Sequence, residues 1–211
     1  MIDKILKAAR ADSIPEGFSG WWFIEKRSYK EDTPSNHKGR DVICPKGTYT
    51  YLFRITESAL KENRPGEIVM EDTPLELKTH LNFMLHAHGQ ILITGLGLGC
   101  VIRGLLANPN VDRVTCIEKS EDVLDMVQPW MPVDRLEIIH ADALSWTKQN
   151  KEKFDFAWHD LWTNRENGEP HLASWHTELL FNCKNKVRFQ GAWDFPRPIK
   201  RLIKDMEVSI L

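Results

Sequence analysis

Residues 91–99 have the sequence ILITGLGLG, an apolar run followed at once by three glycines that alternate with leucine. The run has the length and composition of a buried β-strand. Glycines after such a strand allow a tight turn and let the backbone approach a ligand closely. The stretch therefore predicts a strand, a ligand-facing turn and a helix that continues to about Leu106.

Four more strands are expected downstream, at 114–117, 136–139, 154–159 and 186–193. Helices are expected between them, opening at Ser120, after Asp142 and at Pro170. Strands that alternate with helices pair in parallel, which indicates an α/β fold with a doubly wound, mostly parallel, Rossmann-like sheet. A last amphipathic segment lies near 199–206. Either the sheet is abbreviated at its C-terminus or a strand has been missed.

A helix is also expected immediately before the first strand of this sheet. Residues 73–76 have the sequence TPLE, in which Thr73 caps, Pro74 occupies the first turn and Glu76 reaches back to the cap amide. Apolar residues then recur at helical spacing up to Gly89: Leu77, Leu81, Met84 and Leu85.

Residues 1–70 have a different character. A short amphipathic helix near residues 2–9 is followed by aromatic and β-branched stretches at 21–24 and 42–55, with a polar run between them. We therefore expect a strand-rich N-terminal appendage at 1–70 and a Rossmann-like domain at 71–211.

Composition excludes several classes of protein. The chain has 211 residues, of which 42% are hydrophobic and 27% charged, and its net charge is −2. These values are typical of a folded globular protein. The absence of a Lys/Arg block argues against nucleic acid as the partner. The longest apolar run is broken by glycines and Arg103, so no membrane partner is expected.

Targeting and redox signals point to the cytoplasm. Asp3 and Lys4 interrupt the first apolar residues, which is unlike the core of a signal peptide. The four cysteines are widely spaced and form no C-x-x-C pair, as in a reduced chain without a disulfide framework or zinc site.

Acidic residues follow three consecutive strands of the predicted sheet. In an open parallel sheet, ligands bind beyond the carboxyl ends of the strands. Glu118 follows the second strand, where a carboxylate can accept both hydroxyls of a ribose. Asp142 follows the third, where it can accept an adenine amine or cap a helix. Asp160 follows the fourth, so the sequence predicts a nucleoside site above the glycine turn.

With these residues in place, 71–195 resembles the class I S-adenosylmethionine-dependent methyltransferases, and most closely the branch that includes spermidine synthases. The resemblance implies S-adenosylmethionine as the cofactor. It also implies that Gly95, Gly97 and Gly99 lie under the adenosyl ribose and that Glu118 holds its hydroxyls.

The same resemblance implies that Asp142 and Ala143 contact adenine and that Asp160 faces the methionine moiety and the reacting centre. Spermidine synthases follow this last Asp with a second acid and a proline, whereas residues 161–163 here are LWT. The polyamine site is therefore in question. A nicotinamide-binding domain is the alternative fold assignment, but it prefers Gly or Ala at the position of Cys100.

Three functions remain open. The first is a methyltransferase that acts on a small-molecule acceptor. The second is another chemistry of the same donor, either aminopropyl transfer or donor breakdown. The third is a non-catalytic nucleoside-binding module. The exposed strand-rich appendage could in addition serve a homodimer.

Asp160 is the expected catalytic residue, which orients or deprotonates the acceptor. His159 points to the opposite face of the strand, because side chains alternate, and is expected to be a core histidine. Aromatic residues near the last strands could form a pocket for a flat or cationic acceptor: Trp158, Trp162, Trp175 and Trp193. The pairs His86/His88 and His171/His176 lack the spacing of a metal clamp, so no metal is expected. Asp72, at the entry to the helix before the sheet, could contact the methionine end of the donor, but as part of a helix-start sequence it is expected to be structural.

Overall fold

The N-terminal part of the chain is strand-rich in the computed structural model, which describes residues 1–37, 40–161 and 171–193. Its elements are α1 (Ile2–Ala8), β1 (Gly17–Ser19), β2 (Trp22–Tyr29), β3 (Thr33–His37), β4 (Arg40–Cys44), β5 (Gly47–Arg54), α2 (Glu57–Lys61) and β6 (Glu67–Glu71). An antiparallel sheet has the order β1-β2-β5-β6, and β3 pairs with β4 separately. The expected polar spacer thus contains β3, because an antiparallel partner satisfies its backbone groups.

Five parallel strands form the second sheet, as expected. They are β7 (Gly89–Thr94), β8 (Val111–Glu118), β9 (Leu136–His140), β10 (Phe154–His159) and β11 (Val187–Ala192). The strand order is β11-β10-β7-β8-β9, with every neighbouring pair parallel. The order reverses at β7, so the turn after β7 lies at the switch point where open parallel sheets bind ligands.

Helices connect the strands and cover both faces of the parallel sheet. They are α3 (Pro74–His86), α4 (Cys100–Leu106), α5 (Glu121–Val127), α6 (Ala143–Gln149) and α7 (His171–Cys183). Ser120 and Asp142 accept hydrogen bonds from the third residue of α5 and α6, as their sequences predict. Pro170 and the segment near 199–206 lie outside the described residues.

The start of α3 departs from the expected capping box. Thr73 Oγ1 accepts a hydrogen bond of 3.3 Å from the Glu76 N–H, as predicted. Glu76 was expected to reach back to the cap amide, but its Oε1 accepts a hydrogen bond of 3.0 Å from Trp193 Nε1 instead. The carboxylate is thereby drawn toward the end of β11 and away from the cap.

Side chains alternate between two cores on either side of the parallel sheet. Ile91 and Ile93 of β7 pack in the core beneath α3 and α4, whereas Leu92 packs in the core beneath α6 and α7. Full burial of such a side chain contributes about 1.5–3 kcal/mol. This continuous apolar run is what a strand covered on both faces requires.

The first helix packs against the helices of the parallel sheet. Ile5 and Ala9 are fully buried and approach α4 at Gly104, where an added Cβ would contact both residues and Met84. A glycine there lets α1 and α4 come close together. The division of the chain at residue 70 stays a prediction.

Candidate functional site

A cavity of about 550 Å³ lies at the carboxyl ends of β7, β8 and β10. Its floor is the turn after β7, and its opposite wall comes from β2, β5 and β6 of the antiparallel sheet. All three expected carboxylates, Glu118, Asp142 and Asp160, line it together with Gly95 and Gly97. The strand-end residues that the sequence singled out are therefore brought together.

Each glycine of the turn has a left-handed backbone conformation. The φ angles are +96° at Gly95, +51° at Gly97 and +72° at Gly99. A Cβ on Gly95 would overlap the carbonyl oxygen of Asp160. Side chains are thus excluded by backbone strain and by the neighbouring strand end, which explains why glycine recurs here.

A methionine sulfur covers the turn from the antiparallel sheet. Met70 Sδ accepts a hydrogen bond of 3.1 Å from the Leu98 N–H. The sulfur also occupies the place that a Cβ on Gly97 would need. The two sheets therefore meet at the glycine turn, and β6 supplies part of the cavity wall.

Glu118 is fixed by two backbone amides. Its Oε2 accepts a hydrogen bond of 2.8 Å from the Leu96 N–H, and its Oε1 accepts one of 2.7 Å from the Ser120 N–H. Carboxylate oxygens have further lone pairs, so the side chain remains able to accept ligand hydroxyls. Its place beside the turn fits the predicted ribose contact.

Asp142 serves as the cap of α6. Its Oδ1 accepts a hydrogen bond of 2.9 Å from the Ser145 N–H, and its Oδ2 lies 3.0 Å from Lys119 Nζ. The Ser145 amide is the main cause that lowers the pKa of Asp142 below its usual value, and Lys119 adds to it. Asp142 and the buried Ala143 both line the cavity, so the adenine contact remains a prediction beside an observed structural role.

Asp160 follows β10 and borders the cavity next to the glycine turn. Its N–H donates to the Thr94 carbonyl at 2.9 Å, which continues the parallel pairing by one residue. The next side chain, Leu161, packs against the apolar core beneath α6 and α7. Leu161 is only partly buried and also lines the cavity, so an apolar side chain stands next to Asp160 in the cavity wall.

His159 is a core residue, as expected. It is fully buried, with Nδ1 3.1 Å from Thr94 Oγ1 and Nε2 3.3 Å from Gln190 Oε1. Burial lowers the pKa of His159 to about 3. The side chain is therefore neutral and hydrogen-bonded within the core.

Tryptophans form much of the cavity wall. Trp158, Trp175 and Trp193 line it, whereas Trp162 lies outside the described residues. Trp22 at the start of β2 and Trp21 just before it also line the cavity, and no sequence pattern predicted their place there. A wall so rich in indole rings favours a cationic or flat ligand.

Two polar residues on α3 also line the cavity, and the sequence reasoning missed them. Glu76 and His80 are 7% and 1% exposed. His80 falls on the apolar face of α3, three residues after Leu77. A histidine on that apolar face could have indicated a functional residue, because buried polar groups need hydrogen-bond partners.

Among the described residues, no cluster of His, Cys, Asp and Glu could hold a metal ion. His86 Nδ1 and His88 Nδ1 lie near backbone carbonyls, and His176 Nε2 accepts from the Leu161 N–H at 3.3 Å. The side chain of His171 lies outside the described residues. Within the described part of the chain, no helix is long and apolar enough to cross a bilayer.

Comparison with known proteins gives a consistent set of relatives. No family model matches the chain. It is 26% identical over 182 residues to a polyamine aminopropyltransferase of Buchnera aphidicola, covering 81% of this chain and 59% of that protein. It is 34% identical over 89 residues to a polyamine aminopropyltransferase of Nitrosomonas europaea, covering 38% of this chain and 27% of that protein.

A solved spermidine synthase, in complex with the transition-state analogue AdoDATO, aligns with 83% of this chain and 54% of its own length. The TM-score is 0.51 at 17% identity. The chain has the spermidine synthase fold. This confirms the fold class and the resemblance inferred from the glycine turn and the strand-end acids.

The spermidine synthase fold here is only part of what the relatives contain. The chain spans about three fifths of the length of the Buchnera aminopropyltransferase that it matches. Likeness at this level shows the fold alone. The donor, the acceptor and the reaction have to be argued from the residues of the site.

Proposed function

We propose that this chain is a transferase that binds a sulfonium nucleoside of the S-adenosylmethionine class, and that its donor is the decarboxylated form. The reaction would then be aminopropyl transfer to an amine. The names of the curated relatives favour this alternative over the methyl transfer that was first expected. The charge of the cavity wall is the observation that carries the proposal.

Among the described residues, carboxylates outnumber cations in the cavity lining. Five acidic residues of the described ranges line the cavity, Glu76, Glu118, Asp122, Asp142 and Asp160, against the permanent cations Arg54 and Lys119. Lys119 is already paired with Asp142. S-Adenosylmethionine brings a carboxylate that such a wall would repel, whereas the decarboxylated donor carries only positive groups.

In this proposal, some residues of the site bind the donor and others take part in the reaction. The glycine turn and Glu118 would hold the ribose, with Asp142 and Ala143 at the adenine. The donor supplies an activated carbon, because its sulfonium leaves as a neutral thioether when the C–S bond breaks. Asp160 would orient the acceptor and accept the proton that the attacking nitrogen loses.

Methyl transfer from S-adenosylmethionine is the second candidate, and one observation favours it. Leu161 occupies the position of the second acid of spermidine synthases and lines the cavity with an apolar side chain that packs against the core. An aminopropyl-transfer site without that acid would depend on Asp160 and Glu76 to balance the charge of an amine.

Calorimetric titration of the ligand-free protein tests the proposal. The titrants are decarboxylated S-adenosylmethionine, S-adenosylmethionine and NAD. We expect micromolar binding of the decarboxylated donor and at least tenfold weaker binding of S-adenosylmethionine. The reverse order would move the assignment to methyl transfer. Tight binding without turnover by any amine would indicate a nucleoside-binding module, and binding of none would overturn the functional assignment.

Two further expectations belong with this proposal. All four cysteines lie in the described residues and are buried and free, which is consistent with a cytoplasmic location. The acceptor is a small molecule that enters between the two sheets. A homodimer through the antiparallel sheet, whose Phe18 is 83% exposed, also remains a prediction.

A further inference from the structure

His80 carries two ring nitrogens that lack a hydrogen bond. The side chain is 1% exposed, and neither Nδ1 nor Nε2 has a hydrogen-bond partner in the described part of the chain. Nε2 lies 3.3 Å from Glu76 Oε1, within the range of an ion pair but without the alignment of a hydrogen bond. His80 is nevertheless among the residues that line the cavity.

Trp158, next to His80, also has a buried nitrogen without a hydrogen bond in the described part of the chain. The Trp158 and His80 rings meet edge to face, with centroids 5.7 Å apart and an interplanar angle of 83°. Trp158 also lines the cavity, and its Nε1 is buried without a partner among the described residues. Each unpaired buried group costs about 1–3 kcal/mol. Two of them in contact, in the wall of one cavity, point to a ligand that completes their hydrogen bonds.

The chemistry of these groups restricts that ligand. An indole N–H only donates, and a neutral imidazole offers one donor and one acceptor. An alkylammonium only donates, so it could pair with His80 and Glu76 but not with the Trp158 N–H. A hydroxyl both donates and accepts, and one hydroxyl can satisfy a donor on one ring and an acceptor on the other.

We propose that His80 and Trp158 bind a hydroxyl group of the acceptor, so that the acceptor is an amine with a hydroxyl close to its reacting nitrogen. The inference rests on the proposed function for the amine and adds the hydroxyl. Glu76 lies beside His80 and accepts from Trp193, so it holds the negative charge at the end of the subsite where the ammonium would lie. A linear diamine without the hydroxyl would leave the Trp158 N–H unpaired.

A matched pair of acceptors tests this specificity. They are propane diamine, with one amine at each end, and the same diamine with a hydroxyl on the central carbon. We expect kcat/KM with the decarboxylated donor to be at least about tenfold higher for the hydroxylated amine, since sites that pair a substrate hydroxyl reject analogues without it. Equal values, or turnover of neither amine by a protein that binds the donor, would overturn the inference.

Three variants test whether His80 and Trp158 cause the preference for the hydroxylated amine. His80→Phe and Trp158→Phe each remove ring nitrogens and keep an aromatic side chain. In each variant the two amines should therefore have about equal kcat/KM values. Trp146→Phe is the control, because Trp146 belongs to α6, packs against the core on that side of the sheet and does not line the cavity. Preference retained in both cavity variants would contradict the assignment.

Two readouts separate this inference from the proposed function and from misfolding. Donor affinity by calorimetry should stay within about threefold in His80→Phe, whereas failure of the unaltered protein to bind the donor would count against the proposed function itself. Thermal unfolding of His80→Phe should occur at the same or a higher temperature, because an unpaired polar group is replaced by an apolar one. In the unaltered protein, the ¹⁵N resonances of the His80 ring should shift on addition of the hydroxylated amine and not of the plain diamine.

Discussion

Glu118 accepts a hydrogen bond of 2.8 Å from the backbone N–H of Leu96, within the glycine turn of the neighbouring strand. The end of β8 and the turn after β7 therefore hold each other in position. Because the carboxylate is fixed before a ligand arrives, little side-chain entropy is lost on binding.

Replacing this carboxylate should weaken donor binding. In Glu118→Gln, one carboxylate oxygen becomes an NH2 group, which cannot accept a hydrogen bond from a backbone N–H or from a ribose hydroxyl. Hydrogen bonds to a charged group contribute about 1.5–3 kcal/mol each, so the donor Kd should rise tenfold to a hundredfold. Calorimetry measures it, with Glu121→Gln in the exposed first turn of α5 as the control. An unchanged Kd in Glu118→Gln would contradict the ribose role.

A side chain on the first glycine of the turn should disrupt both fold and site. In Gly95→Ala, the new Cβ would meet the Asp160 carbonyl oxygen at a residue with φ of +96°. We expect a loss of about 1–3 kcal/mol in the free energy of unfolding, together with weaker donor binding. Gly17→Ala is the matched control, since nothing lies within 4 Å of its added Cβ. Urea unfolding of both variants measures the difference.

Asp160→Asn separates catalysis from binding. If Asp160 accepts the acceptor's proton, kcat should fall by about 10²- to 10⁴-fold while the donor Kd changes little. Asp112→Asn, at an exposed position near the start of β8, should leave both kcat and the donor Kd unchanged. Full turnover by an Asp160→Asn protein that still binds the donor would remove Asp160 from the chemistry.

Asp72 should prove structural. It is fully buried, with Oδ2 accepting 2.8 Å hydrogen bonds from Arg10 Nε and the Ala11 N–H and Oδ1 accepting from the Thr50 N–H at 2.7 Å. Asp72→Asn would turn an amide donor toward these donors and should cost about 3 kcal/mol of unfolding free energy. Asp3→Asn, at an exposed position, is the control in chemical denaturation. Equal stability of the two variants would contradict a structural role for the hydrogen bonds of Asp72.

Stability should fall as the pH falls below about 6.5. Burial lowers the pKa of His159 to about 3 and that of His176 to about 4, whereas unfolded histidine titrates near 6.5. Between these values the unfolded chain takes up protons that the native chain does not. Each histidine therefore lowers the free energy of unfolding by about 1.4 kcal/mol for each unit by which the pH falls. His159→Gln should show a shallower slope in urea unfolding between about pH 6 and pH 4, and the exposed His86→Gln should not. Parallel slopes for His159→Gln and the unaltered protein would contradict the assignment.

The parallel sheet could be predicted because its determinants are local. Apolar runs such as 91–94 are long enough to define strands, and glycines or caps such as Ser120 mark where each strand ends and a helix begins. The N-terminal strands were harder to place. The polar strand β3 has no hydrophobic signal and depends on pairing with β4.

The candidate site could be predicted only on one side. Glu118 and Asp160 follow predicted strands, so the topology brings them together. Trp21 and Met70 belong to the antiparallel sheet, and nothing in the sequence shows how that sheet lies against the parallel one. Glu76 was assigned to a cap because the distant Trp193, which draws it into the cavity, cannot be seen from local sequence.

The hydrogen bond between Trp193 and Glu76 joins residues 117 positions apart in the chain. The cavity wall likewise runs from Trp21 to Trp193, so it is built from contacts with very large loop-closure entropy. We expect such contacts to form after the local βα units. The cavity wall around Glu76 would then be complete only when β11 joins the sheet, so a nascent chain would acquire its acceptor subsite after the strand ends proposed to hold the donor.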